Sequence, residues 1–144
     1  MRRRAPALIL RTLLAGTAMG LAVPDRALAQ SYSAEGQIGY LQEWEMKASL
    51  TKTVTSAGTD YSGPVKLRHV GLCSANGVEE KSGVLELKAK SSGVVGTLVM
   101  ADDNCRLAVS AAQGYSGLLN CKDGQGVPIR FSIEQVKAAD QASR

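Results

Sequence analysis

The sequence contains few of the residues on which metal-binding and nucleic-acid-binding proteins most often rely. Of its 144 residues only one is a histidine, and aromatic residues amount to 4%. A single histidine excludes the histidine clusters of many metal sites, and scarce aromatic residues disfavour the stacking platforms that hold unpaired bases. No glycine-rich phosphate loop, G-x-S-x-G turn or H-E-x-x-H helix is present. The common motifs of nucleotide binding, serine hydrolysis and zinc proteolysis are therefore missing.

A long hydrophobic run is also missing, although the N-terminal region is apolar. Three arginines at positions 2–4 precede an apolar stretch whose longest uninterrupted part, residues 12–23, has 12 residues. Spanning a bilayer takes about 17–25 residues, so this stretch is too short for a transmembrane anchor. Together with Ala-Leu-Ala at 27–29 it has the pattern of a cleavable signal peptide. We predict that residues 1–29 are a signal peptide and that the mature protein, starting at Gln30, has no membrane span.

A surplus of positive charge is absent from the predicted mature chain. The full sequence has 17 basic and 13 acidic residues, a formal net charge of +4. Five arginines and one aspartate lie in residues 1–29, which leaves 12 residues of each sign and a net charge near zero. Recognition of nucleic acid begins with a basic face, so we expect that nucleic acid is not a partner.

Apolar residues alternate with polar ones along most of residues 30–144. Trp44, Met46, Ala48 and Leu50 share one face, and charged or hydroxyl residues occupy the other. A period of two is typical of half-buried β-strands, and Gly, Asn and Asp between the segments favour turns. The pattern predicts a single all-β domain, a small antiparallel meander of seven or eight strands that forms a barrel or a sandwich. Strands are expected at 43–54, 61–73, 84–90, 94–101, 105–111, 115–121 and 127–134, with an eighth or an extension at 36–42 and a short tail at 135–144.

The three cysteines suggest one disulfide. A hairpin centred on residue 113 places Leu107 opposite Leu119 and Cys105 opposite Cys121, because apolar side chains then share one face. Opposed residues on neighbouring strands satisfy disulfide geometry. We therefore predict a Cys105–Cys121 disulfide and a free thiol at Cys73. The alternative is that Cys73 pairs with one of the other two.

The same reasoning predicts an apolar patch on the outer face. Hairpins centred on residues 92 and 103 place Thr97 and Val99 on the inner face of the strand between them. Several apolar side chains are then left outside, where contiguous apolar area indicates a partner or a covering segment. The predicted partner-binding patch consists of Val70, Leu72, Val84, Leu98, Met100 and Leu118.

The titratable candidates are predicted to be structural, and no catalytic residue is assigned. His69 has no acid beside it in the predicted register, and four residues of strand separate it from Cys73 by about 13 Å, too far to share a metal ion. The adjacent acids at 102–103 and 79–80 lack the spacing of a calcium loop and are expected to be solvated turn residues. We therefore predict no metal and no cofactor.

Trp44 is the only tryptophan and stands near the start of the first strong strand. Its segment, Leu-Gln-Glu-Trp-Glu-Met at 41–46, resembles the opening strand of lipocalins, avidins and the small periplasmic metalloprotease inhibitors. Those families usually place a glycine two residues before the tryptophan, where this chain has Gln42. The resemblance covers six residues and assigns no functional residue. We expect Trp44 to fill the base of the core.

These observations together favour an exported, periplasmic or secreted β-domain that acts by binding. Its partner is expected to be a small ligand or a protein, with an inhibitor-like role as one form of the second. The alternative is a structural or envelope-associated protein that forms homo-oligomers through the outer apolar patch. The absence of catalytic motifs argues against an enzyme.

Overall fold

The computed structural model describes residues 30–71, 77–112 and 114–136, and within these ranges the chain forms eight β-strands. No helix in the same ranges is long and apolar enough to cross a membrane. The predicted signal peptide, residues 72–76 with Leu72 and Cys73, and the tail from residue 137 lie outside the described residues. The strands are β1 (Ser31–Ile38), β2 (Trp44–Thr55), β3 (Gly58–His69), β4 (Glu80–Lys90), β5 (Gly93–Met100), β6 (Asn104–Ser110), β7 (Tyr115–Asn120) and β8 (Val127–Gln135).

The strands form a closed antiparallel barrel. Each strand pairs with the next in sequence, and β8 pairs with β1, so that Ala34 lies opposite Ile133 and Ile38 opposite Ile129. The predicted all-β meander is confirmed, with eight strands, and of the two architectures that the sequence left open the structure is the barrel. Closure pairs both outer strands of the meander, which removes the exposed edges of an open sheet.

The bounds of three strands differ from the prediction by three residues or more, and the other five agree within one residue. β1 begins at Ser31 and ends at Ile38, so the later part of the predicted 36–42 segment is a loop. β3 ends at His69 instead of residue 73, and β4 begins at Glu80 instead of residue 84. β1 was hard to recognise because its inward positions include Ala34 and Gly36, small residues that weaken the apolar alternation.

The predicted register is confirmed for one hairpin and wrong for β5. Leu107 lies opposite Leu119, as predicted. In β5, however, Leu98 is the inward residue, opposite Leu85 and Cys105, and Val99 faces outward. The β4–β5 turn has two residues, 91–92, which moves the pairing by one position and turns the other face of β5 inward.

The interior of the barrel is filled by side chains. Seventeen apolar residues are at most 6% exposed, and no polar residue is buried among the described residues. An eight-stranded barrel has an interior about wide enough for such side chains to fill. The largest of the fully buried side chains are Met46, Leu50, Leu85, Leu87, Leu98 and Ile129.

Inward glycines let the large side chains fit. Gly36 lies between Met46 and Phe131 in the ladder, and Gly96 lies opposite Leu87. A Cβ atom at either glycine would overlap backbone of the neighbouring strand. The strands therefore approach closely at these positions and bend around the core, which is how glycine helps a sheet to close.

Candidate functional site

The two ends of the barrel differ in construction. At the far end the turns are short, with residues 56–57 between β2 and β3 and residues 91–92 between β4 and β5. The opposite end, which we name the rim, comprises the connections β1–β2, β3–β4, β5–β6 and β7–β8 and the two strand residues on each side of them. Its described residues are 37–45, 68–71, 77–81, 99–105 and 119–128.

A disulfide links two parts of the rim. Cys105 at the start of β6 is bonded to Cys121, which follows β7, as the hairpin register predicted. Cys105 is completely buried against the core. The carboxylate of Asp103 reinforces the link, because it accepts hydrogen bonds from the backbone N–H of Asn104 at 2.7 Å and of Lys122 at 3.1 Å. Asp103 therefore has a structural role that the sequence did not indicate.

The same three residues do not form a metal site. Ligand atoms of Asp103, Cys105 and Cys121 lie within 4.8 Å of one another. The two sulfur atoms are bonded to each other, however, and cysteine binds a metal as a free thiolate. With the disulfide formed, Asp103 is the one residue of this cluster that could still bind a metal ion, through its carboxylate. The predicted free thiol, Cys73, lies outside the described residues and stays a prediction.

Trp44 closes the rim end of the core. Its ring meets the ring of His69, directly opposite on β3, edge to face at a centroid distance of 4.8 Å. The Nζ atom of Lys81 lies 5.5 Å from the centroid of the Trp44 ring, and this ammonium also pairs with Glu79 at 3.8 Å and Asp102 at 3.7 Å. Trp44 packs against the core from this position, in agreement with its expected structural role.

His69 lacks the partner that a general base needs. Its ring contacts Trp44, and a Cβ atom added to Gly71 would meet the ring at 2.8 Å. Within the described residues no ion pair joins His69 to a carboxylate. A catalytic histidine is normally oriented by such a group. The His69 ring packs on the Trp44 ring, and the expectation that His69 is structural stays a prediction.

The loop between β1 and β2 carries the most exposed apolar side chains of the rim. Leu41 is 89% exposed and Tyr40 is 73% exposed. The loop is nonetheless fixed to the barrel, because the N–H of Gly39 donates to the carbonyl of Pro128 at 2.9 Å and the Tyr40 hydroxyl donates to the carbonyl of Gly126 at 3.0 Å. Neither Leu41 nor Tyr40 is among the residues that the sequence predicts for a site, because the pattern at 36–42 predicts a strand.

Hydrogen bonds within the loop hold Leu41 outward. The carboxylate of Glu43 accepts the N–H of Leu41 at 2.9 Å, and the carbonyl of Glu43 accepts the N–H of Val70 from the neighbouring connection at 2.7 Å. Gln42 has φ of 56°, in the left-handed region that residues other than glycine seldom adopt. An exposed leucine on a strained, hydrogen-bonded loop is the feature of the rim that packing of the barrel does not explain.

Gln42, the residue with positive φ, is also the position at which the chain departs from the six-residue resemblance around Trp44. Lipocalins, avidins and the small periplasmic metalloprotease inhibitors usually place glycine two residues before the tryptophan, and here that position is Gln42. Gln42 has a positive φ, and glycine adopts this conformation without a steric penalty, so the turn of this chain would also accommodate glycine at residue 42.

The predicted outer apolar patch does not exist as one surface. Leu98 is 0% exposed and belongs to the core, and Met100 packs against the core, because β5 presents the opposite face to that predicted. Val84 on β4 and Leu118 on β7 do face outward, but three strand positions around the barrel separate them. Val70 is exposed at the rim. Leu72 lies outside the described residues.

The register creates a different outer apolar row. Val95, Ala108, Leu118 and Pro128 are successive cross-strand neighbours from β5 to β8. Leu118, at the centre of this row, is 50% exposed. The row could not be found from the sequence because it depends on the shifted register of β5.

Concave surfaces of the described residues lie on the outer wall of the barrel. The depression with a volume of about 720 Å³ crosses the outside of β3 to β6, and outward charged side chains line it, among them Asp60, Glu86, Lys88 and Arg106. Another, of about 570 Å³, lies outside β1, β2 and β8. Both are shallow grooves between side chains of the wall and contain no buried polar side chain.

Comparison of the chain with protein-family models, with curated proteins and with solved structures gave no match.

Proposed function

We propose that the protein is an exported, non-catalytic binding module that contacts a partner protein through the rim, with Leu41 at the centre of the contact. The observation that carries this proposal is the 89% exposure of a leucine on a loop that hydrogen bonds hold in one conformation. An apolar side chain fixed in water gains free energy when a partner removes it from water. A loop that is already ordered loses little conformational entropy on binding.

The packed interior supports a protein partner over a small ligand. Ligand-binding barrels enclose an apolar cavity, whereas the inward positions here are occupied by side chains such as Met46, Leu85 and Leu98. A ligand would have to displace core side chains in order to enter. Contact through exposed residues requires no such rearrangement.

The disulfide is compatible with an oxidising compartment, and the N-terminal pattern is that of a signal peptide. We place the protein in the periplasm or outside the cell on these grounds. A disulfide-stabilised barrel with an ordered contact loop suits a binding or inhibitory protein in such an environment.

The test compares two exposed apolar residues at opposite ends of the barrel. Leu41→Ser changes the rim, and Val54→Ser, at a residue that is 72% exposed near the far end, is the matched control. Tagged wild-type protein and both variants are used to capture proteins from the native envelope and medium fractions, with quantitative mass spectrometry. We expect a protein that wild type and Val54→Ser capture equally and that Leu41→Ser loses at least tenfold. Equal capture by Leu41→Ser would contradict the proposal.

A second candidate function, self-association, is favoured by the row of Val95, Ala108, Leu118 and Pro128. Apolar neighbours on four adjacent strands form a continuous outward stripe. If the stripe is a homo-oligomer interface, sedimentation of the purified protein will show an oligomer that Leu118→Ser converts to a monomer. A monomer at all concentrations tested would exclude this function.

A further inference from the structure

Charge is distributed unevenly between the rim and the rest of the described chain. The described rim residues include seven acidic and three basic side chains, whereas the remaining described residues include four acidic and seven basic ones. The rim is therefore net negative and the rest of the barrel net positive, although the two nearly cancel. The predicted mature protein is close to neutral as a whole, so its net charge does not reveal that the two regions carry opposite charge.

The basic residues of the rim are compensated locally. Lys81 forms ion pairs with two acidic residues of the rim, and Arg68 lies between Glu45 and Glu80 in the ladder. Lys122 is the third base within the described rim. The rim thus keeps an excess of negative charge that its own basic residues do not neutralise, and Glu79, Glu80, Asp102 and Asp123 carry this charge on exposed side chains.

Apolar side chains are interleaved with these acids. Leu41, Tyr40, Val70 and Val78 are all more than 40% exposed and all belong to the rim. The backbone hydrogen bond from Val70 to Glu43 brings two of these connections together. The rim therefore combines a protruding apolar centre with an acidic surrounding.

We infer that the partner of the rim is a protein whose contact surface is basic around an apolar pocket, an inference that rests on the proposed function. Opposite charge at the edge of an interface accelerates encounter and rejects partners of the wrong sign, while the buried centre supplies most of the affinity. Nucleic acids and anionic lipid surfaces carry the same sign as the rim and are disfavoured by the same electrostatics.

The inference is tested by selecting random displayed peptides on the exported protein. The protein is anchored through its C-terminus, because β8 ends at the far end of the barrel and the rim is then free. Peptides that also bind the Leu41→Ser variant are removed. We expect the remaining peptides to combine lysine or arginine with large apolar residues. Their binding should weaken about tenfold or more between roughly 0.05 and 0.5 M salt.

Charge variants provide the second measurement. Glu80→Gln with Asp123→Gln removes two exposed rim acids, and Glu35→Gln with Glu134→Gln removes two exposed acids outside the rim. The rim pair should weaken binding of the selected peptides several-fold, and the control pair should leave it unchanged. Equal effects of the two pairs would overturn the inference.

The outcomes separate the two proposals. Selected peptides that need Leu41 but carry acidic or neutral residues would overturn the basic partner and leave the proposed function standing. A selection that yields no peptide dependent on Leu41 would overturn both. If the protein binds vesicles that contain anionic phospholipid and Leu41→Ser abolishes this binding, the partner of the rim is a membrane and not a basic protein. That result would overturn the inference.

Discussion

The far end and the rim of the barrel both connect antiparallel strands, but their connections are stabilised differently. At the far end two of the three turns contain two residues, and strand pairing extends to the residues directly beside them, Thr55 with Gly58 and Lys90 with Gly93. At the rim three of the four connections contain five residues or more, and the connections depend on particular interactions: a disulfide, the carboxylates of Asp103 and Glu43, and a residue with positive φ. The far end follows from strand pairing, whereas the rim is held by individual side chains.

This difference indicates where the molecule can be altered. A change in one rim interaction should loosen a loop and lower stability by the free energy of that interaction, while the ladders keep the barrel closed. Rim loops are also where binding residues are expected, since loops on a rigid scaffold tolerate sequence change. The predictions below test whether the rim depends on these specific interactions.

The largest expected effect is the loss of the disulfide. The test uses a Cys73→Ser background, so that a cysteine released from the disulfide cannot pair with Cys73. In this background Cys105→Ala or Cys121→Ala should destabilise the protein by about 3 kcal/mol, the chain-entropy value for a loop of this length. The bonded residues are 16 apart in sequence. The melting temperature should fall by roughly 10 °C, measured by calorimetry.

The far end supplies the control for this prediction. Ser110 also makes a contact within a connection, because its hydroxyl accepts the N–H of Ala112 at 3.3 Å. Ser110→Ala should lower the free energy of unfolding by less than about 0.5 kcal/mol. If the two cysteine variants differed greatly from each other, the disulfide would not be the shared cause of their destabilisation.

A smaller effect is expected from Asp103. Its carboxylate accepts two backbone hydrogen bonds and joins the β5–β6 connection to the segment after β7. Hydrogen bonds to a charged group contribute about 1.5–3 kcal/mol where they are buried, and Asp103 is half-buried, so Asp103→Ala should cost about 1–2 kcal/mol. Its neighbour is a matched control: Asp102 is exposed and makes only a 3.7 Å ion pair, so Asp102→Ala should cost less than about 1 kcal/mol. Denaturant unfolding distinguishes these values, and equal losses would contradict the role assigned to Asp103.

The sequence predicts the wall of the barrel better than the rim, and β5 and β6 show why. In β6 the apolar residues Cys105, Leu107 and Val109 alternate with polar or small ones, so only one register buries them. In β5 the consecutive residues 94–95 and 98–99 are all apolar, so both faces of the strand carry apolar side chains. Hydrophobic patterning therefore does not distinguish between the two registers. The turn length then decides, and a two-residue turn at 91–92 gave the opposite face to that predicted.

The candidate site was less predictable because it depends on backbone geometry. Leu41 lies in the segment 36–42 that is predicted to be a strand, but Gly39 and Gln42, both with positive φ, turn the chain out of the sheet after β1. A glycine after β1 is a weak signal for such a turn, and a glutamine gives none. The fixed, outward position of Leu41 follows from hydrogen bonds to Glu43 and to β8, which join residues that periodicity does not connect.

Lys81 tests whether the ion pairs of the rim contribute to stability. Its ammonium lies over the Trp44 ring and pairs with two exposed acids at long distance. Such contacts contribute about 0.5–1 kcal/mol together when they are partly exposed, so Lys81→Met should change the free energy of unfolding by no more than that. The fluorescence of Trp44, the only tryptophan, should nonetheless change because the adjacent charge is removed. Lys88→Met, away from the ring, should leave the fluorescence unchanged, and a shift in both variants would argue against the contact.

The smallest predicted effect has the opposite sign. Gln42 has φ of 56°, and a left-handed conformation costs a residue with a Cβ atom about 1–2 kcal/mol. Glycine avoids that cost but loses about 0.5–1 kcal/mol more entropy on folding, so Gln42→Gly should stabilise the protein by about 0.5 kcal/mol. The matched control is Gln37→Gly in the extended strand β1, which should destabilise by about 0.5–1 kcal/mol because no strain is relieved there. Chemical denaturation of both variants measures the difference, about 1 kcal/mol or more. Equal destabilisation would mean that the turn at Gln42 is not strained and that the rim loop, like the far end, follows from strand pairing alone.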